Sequence, residues 1–323
     1  MALISYVIVA YHQPAFLSRL VDALRAPDVF FYIHIDARVD LAPFEACLPP
    51  AADVHYVQTR YGCHWGGYGL VEAFLAGARA ALADACEGYI VTMCGSSYPL
   101  QPPQAIRHFL EASPGTCYLS WFGERFHRHH LSWRLSRRLL PLQSPPRKGM
   151  DVLLLPTFNP RKIFASFETF RLWLCNLDAY FVRRKVPPCV GKISGGEGWT
   201  IFPADYWRRI FAWLAENPEF EAFFRKVLIS GELFFTTLHG ALPAPHRPLP
   251  WYLDWECGHD GSPAVLTADD DFERFSASGA LFARKFDAVK SARLLDRIDS
   301  ELLGRPASDP GSHRLPVAEE AGH

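Results

Sequence analysis

Short apolar runs alternate with stretches of helical spacing along the first part of the chain. Residues 3–10 (LISYVIVA) and 29–35 (VFFYIHI) are rich in β-branched and aromatic side chains, a composition that favours strands. Between them, residues 14–25 (PAFLSRLVDALR) repeat apolar side chains at the spacing of one helix face. A strand, a helix and a second strand in this order predict a parallel pair, whose carboxyl ends face a ligand crevice.

The same alternation continues towards residue 120. The pattern predicts helices over residues 70–84 and 102–113, the second opening with proline, and strands over residues 88–94 (GYIVTMC) and 117–122 (CYLSWF). Repeated strand–helix alternation predicts an α/β fold with a mostly parallel central sheet flanked by helices.

Beyond residue 120 the pattern is less regular. Residues 160–185 are basic and aromatic and are predicted to be helical, and residues 192–203 (KISGGEGWTIFP) predict a glycine turn that enters a strand. A helix is predicted over residues 204–220, and one amphipathic helix over residues 282–303 (FARKFDAVKSARLLDRIDSELL).

The composition is that of one globular domain with a tail. We expect a single domain over residues 1–303, with a nucleotide-binding half over 1–120 and an acceptor and catalytic half over 121–303. Residues 304–323 are rich in Pro, Ala, Gly and Ser and are predicted to be disordered.

Charge and targeting features exclude several classes of protein. The 33 Lys and Arg residues nearly balance the 34 Asp and Glu residues, which argues against nucleic-acid binding. The apolar start has no basic segment before it and predicts a core strand rather than a secretion signal. The eight cysteines form no CxxC pair, so we expect free thiols and a cytoplasmic location.

Four stretches, taken together and in order, resemble the Core-2/I-branching glycosyltransferase family (glycosyltransferase family 14), which includes branching N-acetylglucosaminyltransferases and peptide O-xylosyltransferases. The stretches are YIHIDAR (32–38), WGGYGLVEA (65–73) followed by CGSSYPL (94–100), GGEGW (195–199) with SGELFFTTL (230–238), and LFARKFD (281–287). The resemblance covers most of residues 4–290. It implies a GT-A-like nucleotide-sugar fold, an inverting mechanism and a UDP-sugar donor used without a metal-binding DxD motif.

Glu232 is the candidate catalytic residue. It aligns with the glutamate that serves as the family's general base, directly before the same aromatic pair. Inverting transfer needs one carboxylate to take the proton from the acceptor hydroxyl, and such help is worth roughly 10²–10⁴-fold in rate. The alternative is a glutamate favoured by the helix macrodipole after Ser230 and Gly231, and both interpretations can hold together.

The leaving diphosphate requires positive charge. Lys285 matches the family's diphosphate-binding lysine, and Arg284 is a candidate helper. The alternative for both residues is the start of a solvated amphipathic helix.

The uridine of the donor is expected at the ends of the first two strands. The residues that match there are Ala10, Tyr11, His12, Asp36 and Arg38. Asp36 is the candidate for a uracil or ribose contact, because a carboxylate accepts hydrogen bonds from N–H and hydroxyl groups. An ordinary turn aspartate is the alternative.

The GGEGW stretch is expected to contact sugars. Gly196 lets the backbone approach a sugar closely, Trp199 offers an apolar face for stacking, and Glu197 is a second candidate carboxylate for sugar hydroxyls. The alternative for Glu197 is a turn residue. Ser97 stands where relatives often carry an acid, so its hydroxyl is a further candidate for the sugar.

One position departs from the pattern expected for the diphosphate. Trp251 stands where relatives have an arginine, and Arg247, four residues earlier, is the candidate replacement. This departure and Ser97 leave open a degenerate family member that binds UDP-sugar or glycan without turnover.

Three other signals are given simpler explanations. His127–His130 (HRHH) lacks zinc-site spacing and predicts a basic surface loop. Asp269–Asp271 contains a literal DxD, which helix capping explains better, although a metal-dependent transferase remains an alternative. The basic and aromatic residues 122–185 suggest peripheral contact with an anionic membrane, the alternative being a basic wall of the acceptor groove.

The sequence therefore predicts a metal-independent inverting glycosyltransferase with no cofactor. It would move N-acetylglucosamine or xylose from UDP to a hydroxyl of a glycan or lipid-linked glycan, giving a β linkage. We expect no nucleic-acid partner, a role in surface-polysaccharide synthesis, and a cytoplasmic location that includes peripheral contact with the inner membrane.

Overall fold

A computed structural model describes most of the chain. The described residues are 3–84, 86–122, 131–143, 146, 151–181, 185–258 and 262–305. The stretch His127–His130 and residues 306–323, for which the sequence predicts a surface loop and a disordered tail, lie outside these ranges.

The strands and helices follow one another as listed in this paragraph. The strands are β1 (Ile4–Ala10), β2 (Val29–Ile35), β3 (Val54–Tyr56), β4 (Tyr89–Cys94), β5 (Ser97–Pro99), β6 (Cys117–Tyr118), β7 (Arg138–Pro141), β8 (Val152–Leu155), β9 (Ile201–Pro203), β10 (His246–Arg247), β11 (Trp251–Leu253) and β12 (Phe282–Arg284). The α-helices are α1 (Pro14–Leu24), α2 (Ala42–Cys47), α3 (Gly69–Ala83), α4 (Pro103–Glu111), α5 (Ser132–Ser136), α6 (Pro160–Ile163), α7 (Phe167–Leu174), α8 (Ala204–Glu216), α9 (Pro218–Phe224), α10 (Gly231–Ala241), α11 (Asp269–Ala277) and α12 (Ala292–Arg297). Two 3₁₀ turns (Leu177–Tyr180 and Pro188–Val190) and a π-helical turn (Ile298–Leu302) complete the elements of the described residues.

Seven strands form the central sheet in the order β10-β6-β9-β4-β1-β2-β3. Each neighbouring pair is parallel except the two pairs that contain β9, which runs against both β4 and β6. The predicted α/β fold with a mostly parallel central sheet is confirmed. Since β9 and β10 come from beyond residue 200, the two halves predicted over 1–120 and 121–303 contribute to one sheet.

Apolar clusters lie on both faces of this sheet. Along β1, Tyr6 and Ile8 pack into the cluster that contains α1, whereas Val7 and Val9 pack into the cluster that contains α3. Alternate side chains of a strand point to opposite faces, so burying both sets requires the continuous apolar run that the sequence shows.

A second sheet contradicts one helix prediction. Its order is β11-β12-β5, and Trp251 of β11 stacks on Phe282 of β12 with ring centroids 4.2 Å apart. The prediction of one helix over residues 282–303 is therefore wrong, because the segment begins as a paired strand and α12 starts only at Ala292. Burial of Phe282 between strands outweighs the helical spacing of the sequence.

A small lobe is inserted between β6 and β9. We call it the aromatic lobe and define it as residues 138–143 and 151–181. Its hairpin β7–β8 and its helices α6 and α7 enclose a separate apolar cluster. The helical prediction for 160–185 is confirmed in part, because the helices are short and Ser166 caps a new one, α7. Within the described ranges, no helix combines the length and apolarity that crossing a bilayer requires.

Replacing Gly77 should test the packing of α3 on β1. A Cβ at Gly77 would collide with Val7 Cγ1, and Val7 is fully buried. We expect Gly77→Ala to lower the free energy of unfolding by about 1–3 kcal/mol through overpacking. Gly240→Ala in α10 is the matched control, since its Cβ would meet no atom within 4 Å and alanine favours helix. Urea unfolding measures both changes, and equal effects of the two substitutions would contradict the packing described.

Candidate active site

A cavity of about 420 Å³ opens where β1 and β4 end. It lies at the carboxyl ends of parallel strands, where ligands of open α/β sheets bind. The structure brings together there most of the residues that the sequence singled out. Those that line the cavity are Ala10, Tyr11, His12, Arg38, Glu197, Trp199, Glu232, Arg284 and Lys285.

Glu232 lies in the first turn of α10 and is oriented by an ion pair. Arg134 Nη1 of α5 lies 2.6 Å from Glu232 Oε2, and the two side chains are 9% and 25% exposed. The helix position agrees with the macrodipole interpretation, and the cavity position agrees with the catalytic one. Glu232 therefore presents a carboxylate that is reached from solvent and fixed on its protein side.

Glu197 is brought next to Glu232 by a loop that only glycine permits. The N–H of Gly196 donates to the carbonyl of Glu232 over 2.8 Å, and a Cβ on Gly196 would collide with the carbonyl oxygen of Ser120. The N–H of Glu197 donates to Ser120 Oγ over 2.5 Å. Gly196 does not line the cavity, and its backbone supports the loop that carries Glu197; its expected sugar contact stays a prediction.

The carboxyl group of Glu197 is much less acidic than usual. Burial, to which the charge of Glu232 adds, raises its pKa from 4.5 to about 7, although Arg284 opposes the shift. Glu197 is 6% exposed, and such a group resists carrying a charge. The cavity thus holds two carboxyl groups of different character. Glu232 is paired with an arginine, whereas Glu197 populates both its neutral and its charged form at neutral pH.

Arg284 and Lys285 reach the cavity from the end of β12. The Arg284 guanidinium lies 4.7 Å from the centroid of the Trp199 ring, and its Nε donates to Ser96 Oγ over 3.3 Å. Stacking on an indole holds a guanidinium while leaving its charge available to a ligand. Lys285 and Glu232 share this cavity, as the proposed chemistry requires.

Asp36 supports Arg38 and does not face the cavity. Asp36 is fully buried, and Arg38 Nη2 donates to its Oδ2 over 2.7 Å. Burial alone would raise the pKa of Asp36, but hydrogen bonds from Arg38 and from the N–H of Cys63 hold it below its usual value. The predicted contact of Asp36 with uracil or ribose stays a prediction: its carboxylate is bonded to Arg38, which itself lines the cavity.

Ser97 and Arg247 also lie outside the cavity lining. Ser97 is fully buried in β5 and is paired in register with Arg284. Arg247 lies in β10 at the edge of the central sheet, where it pairs with Tyr118. Arg247 therefore does not take the place of the missing arginine, and the ring of Trp251 is stacked on Phe282.

Several residues at the site carry no distinguishing signal in the sequence. Arg134 comes from a basic stretch in which nothing distinguishes one arginine from the next. Lining residues outside the quoted motifs include His64, Asp151 and Trp255, and Trp65, which opens one motif, was given no role. Trp65 and Trp255 are 65% and 44% exposed, so their indoles offer apolar faces at the cavity.

Asp271, the last residue of the DxD run of the metal-dependent alternative, has a structural role. Asp271 Oδ2 accepts hydrogen bonds from the N–H groups of Thr267 and Ala268, at the start of α11. Among the described residues, no three or more His, Cys, Asp or Glu side chains are grouped as a metal site.

Comparisons with known proteins show what this chain resembles. The family model described as Core-2/I-Branching enzyme matches residues 4–161, just under half of the chain. The chain is 25% identical to xylosyltransferase 1 of Homo sapiens over 321 residues, which cover 91% of this chain and 30% of that protein. It is 25% identical to xylosyltransferase oxt of Drosophila melanogaster over 209 residues, which cover 54% of this chain and 23% of that protein. The chain therefore spans less than a third of the length of these relatives.

A solved structure of the galactosyltransferase LgtC, in complex with donor and acceptor sugar analogues, aligns over 95% of this chain and 97% of that one. The sequences are 9% identical and the TM-score is 0.38. A likeness of this degree decides neither fold nor function.

Replacing Glu197 should change how stability depends on pH. Its pKa in the folded chain, about 7, lies above the ordinary 4.5, so the wild type loses stability as pH rises between these values. Glu197→Gln has no such group, and its advantage in unfolding free energy should grow by up to roughly 3 kcal/mol between pH 4.5 and 8. The growth should be smaller in a Glu232→Gln background, because one cause of the shift is removed. Thermal unfolding across this pH range measures both, and a difference independent of pH would contradict the assignment.

Proposed function

We propose that this chain is an inverting glycosyltransferase of the Core-2/I-branching enzyme family, whose model matches residues 4–161. It would transfer N-acetylglucosamine or xylose from a UDP-sugar to a hydroxyl group of a glycan or glycolipid, forming a β linkage. The observation that carries the proposal is that the Glu232 carboxylate and the cations Arg284 and Lys285 line one cavity.

The reaction would be a single displacement. The acceptor oxygen attacks the anomeric carbon, the bond from that carbon to the diphosphate oxygen breaks, and the electron pair leaves with UDP. The acceptor's proton passes to Glu232, the general base. Arg284 and Lys285 would neutralise the charge that develops on the diphosphate. Arg38, which lines the cavity at the strand ends, would contact the donor.

Glu197 suits a hydrogen-bonding role towards a sugar. With a pKa of about 7 it carries a proton in about half of the molecules at neutral pH, so it can donate to or accept from a hydroxyl. Glu232 can only accept while it is ionised. This difference is why we assign the role of general base to Glu232 and the hydrogen bond to a sugar hydroxyl to Glu197.

Glu232→Gln should abolish turnover without abolishing donor binding. Glutamine keeps the shape of the side chain and cannot take up the acceptor's proton, so we expect UDP release to fall by roughly 10²–10⁴-fold. UDP binding, followed by calorimetry, should stay within a few-fold of the wild type. Glu216→Gln, an exposed glutamate at the end of α8, is the matched control and should leave both values unchanged.

Two outcomes would contradict this assignment. Equal turnover in Glu232→Gln and wild type would remove Glu232 as the base. Wild type that binds UDP but releases none from UDP-sugars with a panel of acceptors would favour the binding module that Trp251 and Ser97 suggest.

Metal removal tests the second part of the proposal. Since Arg284 and Lys285 would take the place of a divalent cation, EDTA should leave the rate of UDP release unchanged. Lys285→Met should lower the rate in both the presence and the absence of manganese. Activity lost in EDTA and restored by manganese would instead support a metal-dependent transferase.

A further inference from the structure

The aromatic lobe carries an exposed surface in which large apolar side chains lie beside cations. We call it the basic aromatic face. Its apolar members are between 50% and 86% exposed and are Phe158, Phe164, Phe167, Leu174 and Phe181. Its cations, also exposed, are Arg161, Lys162 and Arg171. Monomeric soluble proteins seldom expose so many phenyl rings together, which indicates an interaction surface.

Helix α7 shows that this exposure is built into the lobe. Phe167, Arg171 and Leu174 follow each other at i, i+4 and i+7, so they share the outer side of the helix. On the inner side, Thr169 is fully buried and Trp173 packs against the apolar cluster of the lobe. The outer side would be polar in an ordinary surface helix.

Half-buried rings hold two of the exposed ones in place. The ring of Phe164 stacks on Phe170 with centroids 5.6 Å apart, and the ring of Phe158 lies 6.3 Å from Trp173. Both inner rings belong to the lobe cluster. A fixed apolar face loses little conformational entropy when a partner covers it.

The acidic and the basic side chains of the lobe differ in whether they have partners within it. Asp178 pairs with Arg138 over 2.6 Å, and Glu168 accepts from the N–H of Gln143 over 2.8 Å. By contrast, no ion pair within the described residues engages Arg161, Lys162 or Arg171. The face is thus locally basic on a chain whose net charge is only −1.

We propose that the basic aromatic face docks on an anionic lipid bilayer. The phenyl rings would enter the interface between headgroups and acyl chains, and the cations would lie beside lipid phosphates. A second copy of the chain fits less well, because a two-fold contact would set these cations against each other.

The same lobe borders the candidate active site. Asp151, the residue directly before β8, lines the cavity, and Arg134, shortly before β7, binds Glu232. Docking would hold the cavity near the bilayer. If the chain has the proposed transferase function, its acceptor is then a glycan anchored to lipid. Only this step of the inference rests on the proposed function.

Vesicle co-sedimentation of the full chain tests the docking. We expect binding to phosphatidylcholine vesicles that contain phosphatidylglycerol, and weaker binding to phosphatidylcholine alone or at high salt. Phe167→Ser should weaken the binding about tenfold, since one phenyl ring loses its burial. Replacing Arg161, Lys162 and Arg171 by Glu should weaken it at least about tenfold.

Matched controls lie elsewhere on the surface. Val289→Ser removes a side chain that is 82% exposed, and Arg293→Glu reverses an exposed charge, and neither belongs to the face. Both should bind vesicles as the wild type does. Circular dichroism should show that all variants are folded.

Three results would overturn the proposal. The first is that the wild type does not bind vesicles. The second is that Phe167→Ser and the charge reversal leave the binding unchanged. The third is that light scattering shows a dimer which Phe167→Ser dissociates, while the chain does not bind vesicles. The assay contains no donor or acceptor, so its failure is separate from failure of the proposed transfer. UDP release with a water-soluble acceptor should be unchanged in Phe167→Ser.

Discussion

The close approach of Gly196 to Ser120 determines where the two carboxyl groups of the cavity lie. Only a residue without a side chain can place its backbone against the Ser120 carbonyl, and from there its N–H reaches the carbonyl of Glu232. One contact thus joins the end of a strand, the glycine loop and the start of α10. Glu197 follows Gly196 directly and is carried with it into the cavity.

The cations of the site depend on a similar arrangement. Two of the three are held by a neighbour that is itself buried: Arg38 by Asp36, and Arg284 by the face of Trp199. Charges fixed before a ligand arrives need no reorganisation when negative charge develops on that ligand, and this makes them effective in transfer chemistry. These partners are therefore part of the site, because they hold its cations in place.

The parts of the fold that the sequence predicted correctly are those in which local pattern and burial agree. The apolar runs of β1, β2 and β4 are buried on both faces, so their composition alone marks them as strands. The helix predicted from Phe282 onwards is wrong at its start, because the pairing of this segment with β11 depends on residues outside the local pattern.

Site residues follow the same division. Motif position was enough to predict that Glu232, Glu197 and Lys285 lie together at one cavity. It does not predict the ion pair of Asp36 with Arg38, because a carboxylate at a strand end has the same local signature whether it faces a ligand or a neighbouring arginine. It failed for Arg134 because only the folded chain shows which arginine of a basic stretch meets Glu232.

A ribosome must deliver the chain as far as Pro203 before the central sheet can close, because β9 is the strand that joins β4 to β6. The parallel strands β1 to β4 can pair well before then. At ordinary synthesis rates the free edge of β4 waits on the order of 10 seconds for its neighbour. During that time the edge is open to other nascent chains, so slower initiation or a bound chaperone should favour soluble protein.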